Sequence, residues 1–245
     1  MSSKTITFEE FKSMCHAACR QRQACKEGFA QMLRAETPTM LLRAWVDNWN
    51  DVWKDRYADM LAGKVEALYA QYRHEFNSVG LWVNESGNRG KVLVTGCLGV
   101  ETAESEGTAG GETADGSKNG GNTAWSGVIN VEGTAEVYVV GDAEVHCYDN
   151  SAAYNHAANN AIIVLHDYSR AYIDTGICVA YNNSKLNMNG GKASCYHTCD
   201  VNMDGGVLRD HGHRIIRAWG NETIIYSRTN RRIELHDGAQ IIKIG

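Results

Sequence analysis

The densest group of side chains that could do chemistry lies in the stretch GGVLRDHGHRIIRAW, residues 205–219. Guanidinium groups bind phosphate or carboxylate oxygens through paired hydrogen bonds, and imidazoles donate further hydrogen bonds. The stretch therefore predicts an anion-binding or nucleotide-binding site. Its candidate residues are Arg209, His211, His213, Arg214 and Arg217.

Two other interpretations of the same stretch stay open. A histidine beside Asp210 could act as a general base, for example in acyl transfer. Alternatively the stretch forms a structural corner, in which the charged side chains bond turn carbonyls and one another, as charged groups at turns usually remain solvated.

Two groups of cysteines could ligate a metal. Cys15 and Cys19 are one helical turn apart, and CYHTC places Cys195, His197 and Cys199 on alternate positions of a strand, all on the inward face. A structural zinc site needs four ligands with defined spacing, and no second CxxC or HxxxH motif is present. We therefore predict buried free thiols, no metal and no cofactor.

The N-terminal third reads as helical. Thr7 and Glu10 form a capping box before one helix, and Thr37 caps a second helix whose first residue is Pro38. We predict a helical domain over residues 1–79. LWVNESGNRGKVLV then predicts a β-hairpin over 80–96. Residues 97–132 are rich in Gly, Thr, Ala and Glu and predict a flexible acidic loop.

A repeat of eight residues begins at GTAEVYVVGDAEVHCYDNSA, where Gly133, Gly141 and Asp149 mark successive turns. Two further blocks in steps of eight follow, over residues 167–191 and 221–245. A strand of five residues and a turn of three describe a parallel β-solenoid over 133–245. The predicted fold class is α+β, mostly β. Repeats of eight residues are compatible with a solenoid coil that has two faces and with one that has three.

The offsets between the blocks are even, so one set of alternate residues should face inward throughout. The odd positions are mostly apolar, and Val145, Ile177 and Val179 are examples of expected inward residues. Two stretches break this rule, NNSKLNMNGG at 182–191 and the cationic stretch at 205–219. Such breaks are expected at bulges, loops and functional sites.

The phrase GDAEVHCYDNSA, with GNETI and DGAQI later, resembles the octapeptide-repeat β-helix proteins of gut Bacteroidetes and of their phages and mobile elements. The resemblance covers roughly residues 80–245. It implies a β-solenoid, a source and an accessory role, and it carries over no catalytic residues.

Composition limits the location and the partners. MSSKTITFEEFK has no apolar stretch behind a basic start, and the chain has no apolar run of about 18 residues, so we expect no signal peptide and no membrane span. Eight cysteines then read as reduced thiols of a cytoplasmic protein. The resemblance implies that the cell is a bacterial host. The net charge of −5 is mild, but the acidic surplus lies mostly in residues 97–132, which makes nucleic acid an unlikely partner.

Together these features predict a non-enzymatic interaction protein. The sharper hypothesis, which the resemblance implies, is a phage or mobile-element accessory factor of the anti-defence type that binds or sequesters a host protein or a signalling nucleotide. The alternatives are a structural component of a phage particle and a solenoid-based transferase or hydrolase.

The last strand of the solenoid predicts self-association. RRIELHDGAQIIKIG is apolar at its end with only Lys243 as a charge inside the strand, and an uncovered coil is a template for strand addition. We expect a homo-oligomer through this C-terminal edge. Its candidate interface residues are Arg231, Arg232, Ile242 and Ile244.

Overall fold

The protein has N-terminal helices followed by a parallel β-solenoid, which confirms the predicted fold class. The computed structural model describes residues 5–22, 26–48, 62–87, 90–95, 128–156, 160–212, 215–228 and 233–244. The helices within these ranges are α1 (Phe8–Arg22), α2 (Lys26–Arg34), α3 (Pro38–Asp47) and α4 (Ala62–Ser78).

Both predicted helix caps are present. The backbone N–H of Thr7 donates to Glu10 Oε2 at 2.9 Å, and the backbone N–H of Glu10 donates to Thr7 Oγ1 at 3.2 Å. Thr37 Oγ1 accepts from the backbone N–H of Met40 at 3.2 Å, and Pro38 opens α3. These bonds satisfy N–H groups that the first helical turn leaves without partners.

The strands form two parallel sheets. Sheet A contains β1 (Leu81–Val83), β2 (Lys91–Val94), β4 (Glu136–Val139), β6 (Ala152–Asn155), β8 (Arg170–Ile173), β10 (Lys185–Met188), β12 (Asp200–Met203), β14 (Ile216–Ala218) and β16 (Ile233–Leu235). Sheet B contains β3 (Val128–Val131), β5 (Glu144–Cys147), β7 (Ile162–Leu165), β9 (Ile177–Ala180), β11 (Lys192–His197), β13 (Gly206–Gly212), β15 (Thr223–Ser227) and β17 (Gln240–Lys243). From β3 onward the chain alternates between the sheets, so each coil has two faces.

The predicted hairpin at 80–96 was wrong, because β1 and β2 pair in parallel, with Leu81 opposite Lys91. Between them the chain crosses to sheet B, where Gly87 forms a parallel bridge with Val131. The backbone N–H of Gly87 donates to the carbonyl of Asn130 at 3.0 Å. Residues 81–94 are therefore the first, short coil of the solenoid.

The boundaries predicted around the acidic loop also change. Of the segment predicted at 97–132, residues 97–127 lie outside the described residues, whereas Val128–Val131 form β3 and pair with β5. The solenoid thus begins at β1 and not at residue 133.

The solenoid interior is a continuous apolar core between the two sheets. Val137 from sheet A and Val145, Ile163 and Leu165 from sheet B are all fully buried in it. At about 25 cal/mol for each Å² of apolar surface removed from water, this core is the main favourable contribution to the stability of the coils.

A second core joins the helices to the outer face of sheet A. Phe11 and Trp45 pack edge to face at 5.5 Å between ring centroids. Leu93 and Tyr138, which point outward from β2 and β4, are buried against this helical cluster. None of the described residues of sheet B belongs to it, so the outer face of sheet B remains available for other contacts.

The number of residues that separates one strand residue from its pairing partner in the next coil, here called the advance, is not always even. In the early coils the advance is even, because Glu136 pairs with Ala152 and Ala152 pairs with Arg170. In the next two coils it is odd, because Arg170 pairs with Lys185 and Lys185 pairs with Asp200. Since side chains alternate along a strand, each odd advance exchanges the inward and outward sets.

This exchange overturns the expected inward positions of Ile177 and Val179. Ile177 is 42% exposed and Val179 is partly exposed, whereas Cys178 and Ala180 are fully buried. The change begins in the turn between β8 and β9, where the chain reaches sheet B one residue earlier than unbroken octads require.

The two stretches that broke the odd-inward rule contain β10, β13 and β14, which are regular strands in the exchanged phase. In β10, Leu186 and Met188 point into the core. The shortened turns require glycine, since a Cβ on Gly190 would lie 2.3 Å from the carbonyl oxygen of Asp174 in the preceding coil. The predicted irregularity is thus a change of coil length.

We predict that carboxylates on the two faces of β9 have opposite effects. Cys178→Asp should lower the free energy of unfolding by about 3 kcal/mol or more, because it buries an unpaired charge. Ile177→Asp, one residue away and open to solvent, should change it by about 0.5 kcal/mol. Urea unfolding followed by circular dichroism measures both. If the two variants lose equal free energy of unfolding, or if Ile177→Asp loses more, the result would support the inward position of Ile177 that an unbroken eight-residue repeat predicts.

Candidate anion-binding groove

A groove of about 730 Å³ lies on the outer face of sheet B and extends from β9 to β17. We call it the basic groove. Its apolar residues are Ile177, Val207 and Ile244. Its polar and charged side chains are Lys192, Ser194, Arg209, His211, Tyr226 and Arg228.

The register of the strands places these side chains in neighbouring columns. Ser194, Arg209 and Tyr226 occupy equivalent positions of β11, β13 and β15. Two residues earlier, Lys192 lies beside Val207. All of them point outward because their sequence neighbours, such as Ala193 and Leu208, fill the core.

The basic groove has a surplus of positive charge. Lys192, Arg209 and Arg228 are exposed, and none of the three makes an ion pair in the part of the chain that the structure describes. Like charges placed this close repel one another, so a bound anion relieves an unfavourable interaction as well as making new ones.

The carboxylate of Asp210 does not neutralise this charge, because it points into the solenoid. Asp210 is fully buried; its Oδ2 accepts a hydrogen bond from Ser227 Oγ at 2.9 Å and its Oδ1 accepts from the backbone N–H of Gly212 at 3.0 Å. His211 lies on the opposite face of β13. His211 and the Asp210 carboxylate therefore do not pair as a general base, and His213, the other histidine of the stretch, lies outside the described residues.

Only part of the predicted cationic cluster comes together. Arg209 and His211 both line the basic groove. Arg217 lies on β14 in the other sheet, where its Nε donates to Glu234 Oε2 at 3.1 Å. His213 and Arg214 lie outside the described residues.

Lys192, Ser194, Tyr226 and Arg228 were not among the residues predicted from the sequence. They lie one coil before or one coil after Arg209, as the pairs Ser194–Arg209 and Arg209–Tyr226 show. A search for residues that recur at the interval of a whole coil, instead of at every eighth position, would have found the column.

A column of stacked rings fixes the position of His211 at one side of the groove. Tyr148, His166, Tyr181, Tyr196 and His211 succeed one another on sheet B, one ring per coil. Their ring centroids are separated by 4.5, 5.6, 5.2 and 4.9 Å, with nearly parallel planes. Each stacked pair contributes about 0.5–1.5 kcal/mol beyond the burial of its area.

The cysteine groups are structural in the described residues. Cys15 and Cys19 are buried in the helical core, and Cys195 and Cys199 are buried in the solenoid. His197, expected on the same inward face, is exposed, because β11 ends there with a positive φ of 58° that turns the side chain outward. No group of three or more His, Cys, Asp or Glu residues that could hold a metal occurs in the described ranges.

The predicted oligomer interface is at the C-terminal edge of the solenoid. β17 is the edge strand of sheet B, and Ile242 and Ile244 are 41% and 37% exposed. Arg231 and Arg232 lie outside the described residues. The homo-oligomer stays a prediction.

No family model, no curated protein and no solved structure matches the chain. The parallel β-solenoid that the resemblance implied is confirmed by the structure, whereas membership of the octapeptide-repeat family and the link to Bacteroidetes and phages stay predictions. None of the described helices is long and apolar enough to cross a membrane.

We predict that His166 makes the solenoid sensitive to acid. Burial of the imidazole lowers the pKa of His166, and His146, whose Nδ1 lies 3.4 Å from His166 Nε2, lowers it further, against a smaller opposing effect of Asp167. The stability contributed by the neutral ring is present above the unfolded-state pKa of about 6.5. It is lost as the pH falls through that value toward the lower pKa of the folded protein.

His166→Tyr should keep the stack and reduce the loss of melting temperature between pH 7.5 and 5.5. Tyr181→Phe replaces the next ring in the column and leaves His166 in place. This variant should lose as much melting temperature between pH 7.5 and 5.5 as the original protein does. Differential scanning calorimetry measures both, and an unchanged pH dependence in His166→Tyr would contradict the prediction.

Proposed function

We propose that the protein is a non-catalytic binding protein that holds a phosphate-bearing small ligand, a nucleotide, in the basic groove. The observation that carries this proposal is the convergence of Lys192, Arg209 and Arg228 on one groove without ion-pair partners among the described residues.

The chemistry of the groove suits a nucleotide. Arginine binds phosphate through two parallel hydrogen bonds, and lysine adds a mobile point charge. The hydroxyls of Ser194 and Tyr226 can donate to further oxygens, and the ring of Tyr226 offers a face to a base. A volume of about 730 Å³ lies within the usual range of small-molecule sites, roughly 300–1,000 Å³.

Binding fits the groove better than acid–base catalysis. General acid–base chemistry is commonly supported by a histidine that a neighbouring carboxylate orients. The carboxylate next to His211 in the chain, that of Asp210, is buried on the other side of β13. The groove therefore supplies positive charge and hydroxyl groups.

The wider role that we propose is sequestration of a signalling nucleotide by a phage or mobile-element accessory factor. It is supported by the sequence resemblance and by a groove exposed on the face of a rigid solenoid. Binding of a host protein and a place in a phage particle are the competing roles, and neither of them requires nucleotide binding at these three cations.

Arg209→Ala tests the proposed function. At low salt, isothermal titration calorimetry should detect binding of ATP to the original protein. Arg209→Ala should weaken that binding about tenfold or more, since a charge-assisted hydrogen bond contributes about 1.5–3 kcal/mol. The effect should fall as salt is added.

Arg217→Ala is the matched control. It removes the same side chain from the neighbouring strand β14 on sheet A, where Arg217 already pairs with Glu234. ATP affinity should change less than twofold. Equal effects of Arg209→Ala and Arg217→Ala, or no binding of ATP or of any other phosphate compound by the folded protein, would contradict the proposed function.

A further inference from the structure

We infer that the ligand of the basic groove is a short phosphodiester-linked oligonucleotide of two or three nucleotides, bound diagonally across sheet B. This inference rests on the proposed function and narrows it, because a single nucleotide would satisfy only part of the groove.

The three cations form a straight diagonal in the strand register. Lys192 pairs with Val207, so Arg209 lies one strand over and two residues further along. Arg209 pairs with Tyr226, so Arg228 repeats the same displacement on the next strand. With strands about 4.8 Å apart and about 3.3 Å per residue, the Cα atoms of successive basic residues are about 8 Å apart and those of the outer two about 16 Å.

This spacing matches phosphodiesters better than polyphosphates. In an oligonucleotide, a sugar lies between neighbouring phosphates. The distance between these phosphates is therefore of the same order as the step along the diagonal. In a triphosphate, neighbouring phosphates share a bridging oxygen and lie much closer together. A nucleoside triphosphate can therefore engage one end of the diagonal but not both.

A stacking surface lies beside the diagonal. Tyr226 is next to Arg209 across the sheet, and its ring makes no ring contact within the described part of the chain. His211 has one face covered by Tyr196, at 4.9 Å between centroids. Proteins that bind single strands combine such a cationic track with aromatic rings on which bases stack.

Apolar side chains limit the length of the ligand. Ile177 lies beside Lys192 at one end of the diagonal, and Ile244 follows Arg228 at the other. Both continue the groove without a charge. The charged track is therefore three positions long, which suits two or three phosphates and not an extended strand.

The test compares ligands of nearly equal charge and different phosphate spacing. The probes are ATP and 5′-phosphorylated linear triadenylate, which carries one terminal phosphate and two phosphodiesters. Calorimetry at low salt should show the triadenylate binding at least tenfold more tightly than ATP. Lys192→Ala and Arg228→Ala should each weaken the binding of the triadenylate about tenfold. At least one of the two variants should leave the affinity for ATP unchanged.

Lys185→Ala is the control for Lys192→Ala, because Lys185 is an exposed lysine at the start of β10, on sheet A. It should leave both affinities unchanged. A Tyr226→Leu variant should weaken the triadenylate severalfold and have little effect on inorganic triphosphate, which has no base.

Further ligands distinguish a cyclic from a linear oligonucleotide, and they distinguish failure of this inference from failure of the proposed function. If a cyclic diadenylate binds at least as tightly as the linear triadenylate, the inference is supported and the ligand is a cyclic oligonucleotide. If the cyclic diadenylate binds more weakly, the ligand is a linear oligonucleotide. Equal affinities for ATP and triadenylate overturn the inference and leave the proposed function standing. A tetraglutamate peptide that binds as tightly as triadenylate overturns it in favour of an acidic peptide. No binding of any phosphate probe overturns the proposed function itself.

Discussion

Parallel stacking of the coils in register is the constraint on which the rest of the molecule depends. Each strand inside a sheet bonds its backbone to the equivalent strands of the coils before and after it, and each edge strand pairs on one side, so equivalent side chains lie about 4.8 Å apart in columns. Inward side chains must be apolar or, like Asp210, hydrogen-bonded, because an unpaired charge between the sheets has no water and few partners. Fully buried residues such as Val145, Ile163 and Leu186 satisfy this requirement in successive coils.

The length of each coil therefore decides which residues face solvent. The odd advance from β11 to β13 places Leu208 inside and Arg209 outside, and buries Asp210, whose hydrogen bonds come from Ser227 and Gly212. The same register sets Arg209 between Lys192 and Arg228. The positive charge of the groove is thus a consequence of coil length, since one more residue in the coil before β13 would have turned Arg209 toward the core.

The solenoid could be predicted from the sequence because turn residues recur near every eight positions and because inward residues such as Val145 alternate with polar neighbours, here Glu144 and His146. The groove could be predicted only in part. Arg209 and His211 stood out through local clustering, whereas Lys192 and Arg228 join them through strand pairing across coils. The exchange of phase in β9 depends on a turn shortened by a single residue, which the pattern of turn residues does not reveal. The hairpin at 80–96 was wrong for a related reason, since strands that belong to one short coil have the same local composition as a hairpin.

Thiol labelling tests the direction of Arg209 most directly. Arg209→Cys and Leu208→Cys place one new thiol on either face of β13, while the native cysteines of the described residues are buried, and burial raises the pKa of Cys147 to about 12. Under native conditions, iodoacetamide modification followed by peptide mass spectrometry should show rapid labelling at Arg209→Cys. Leu208→Cys should label only when the protein unfolds. Equal rates, or faster labelling of Leu208→Cys in a folded protein, would contradict the register that forms the basic groove.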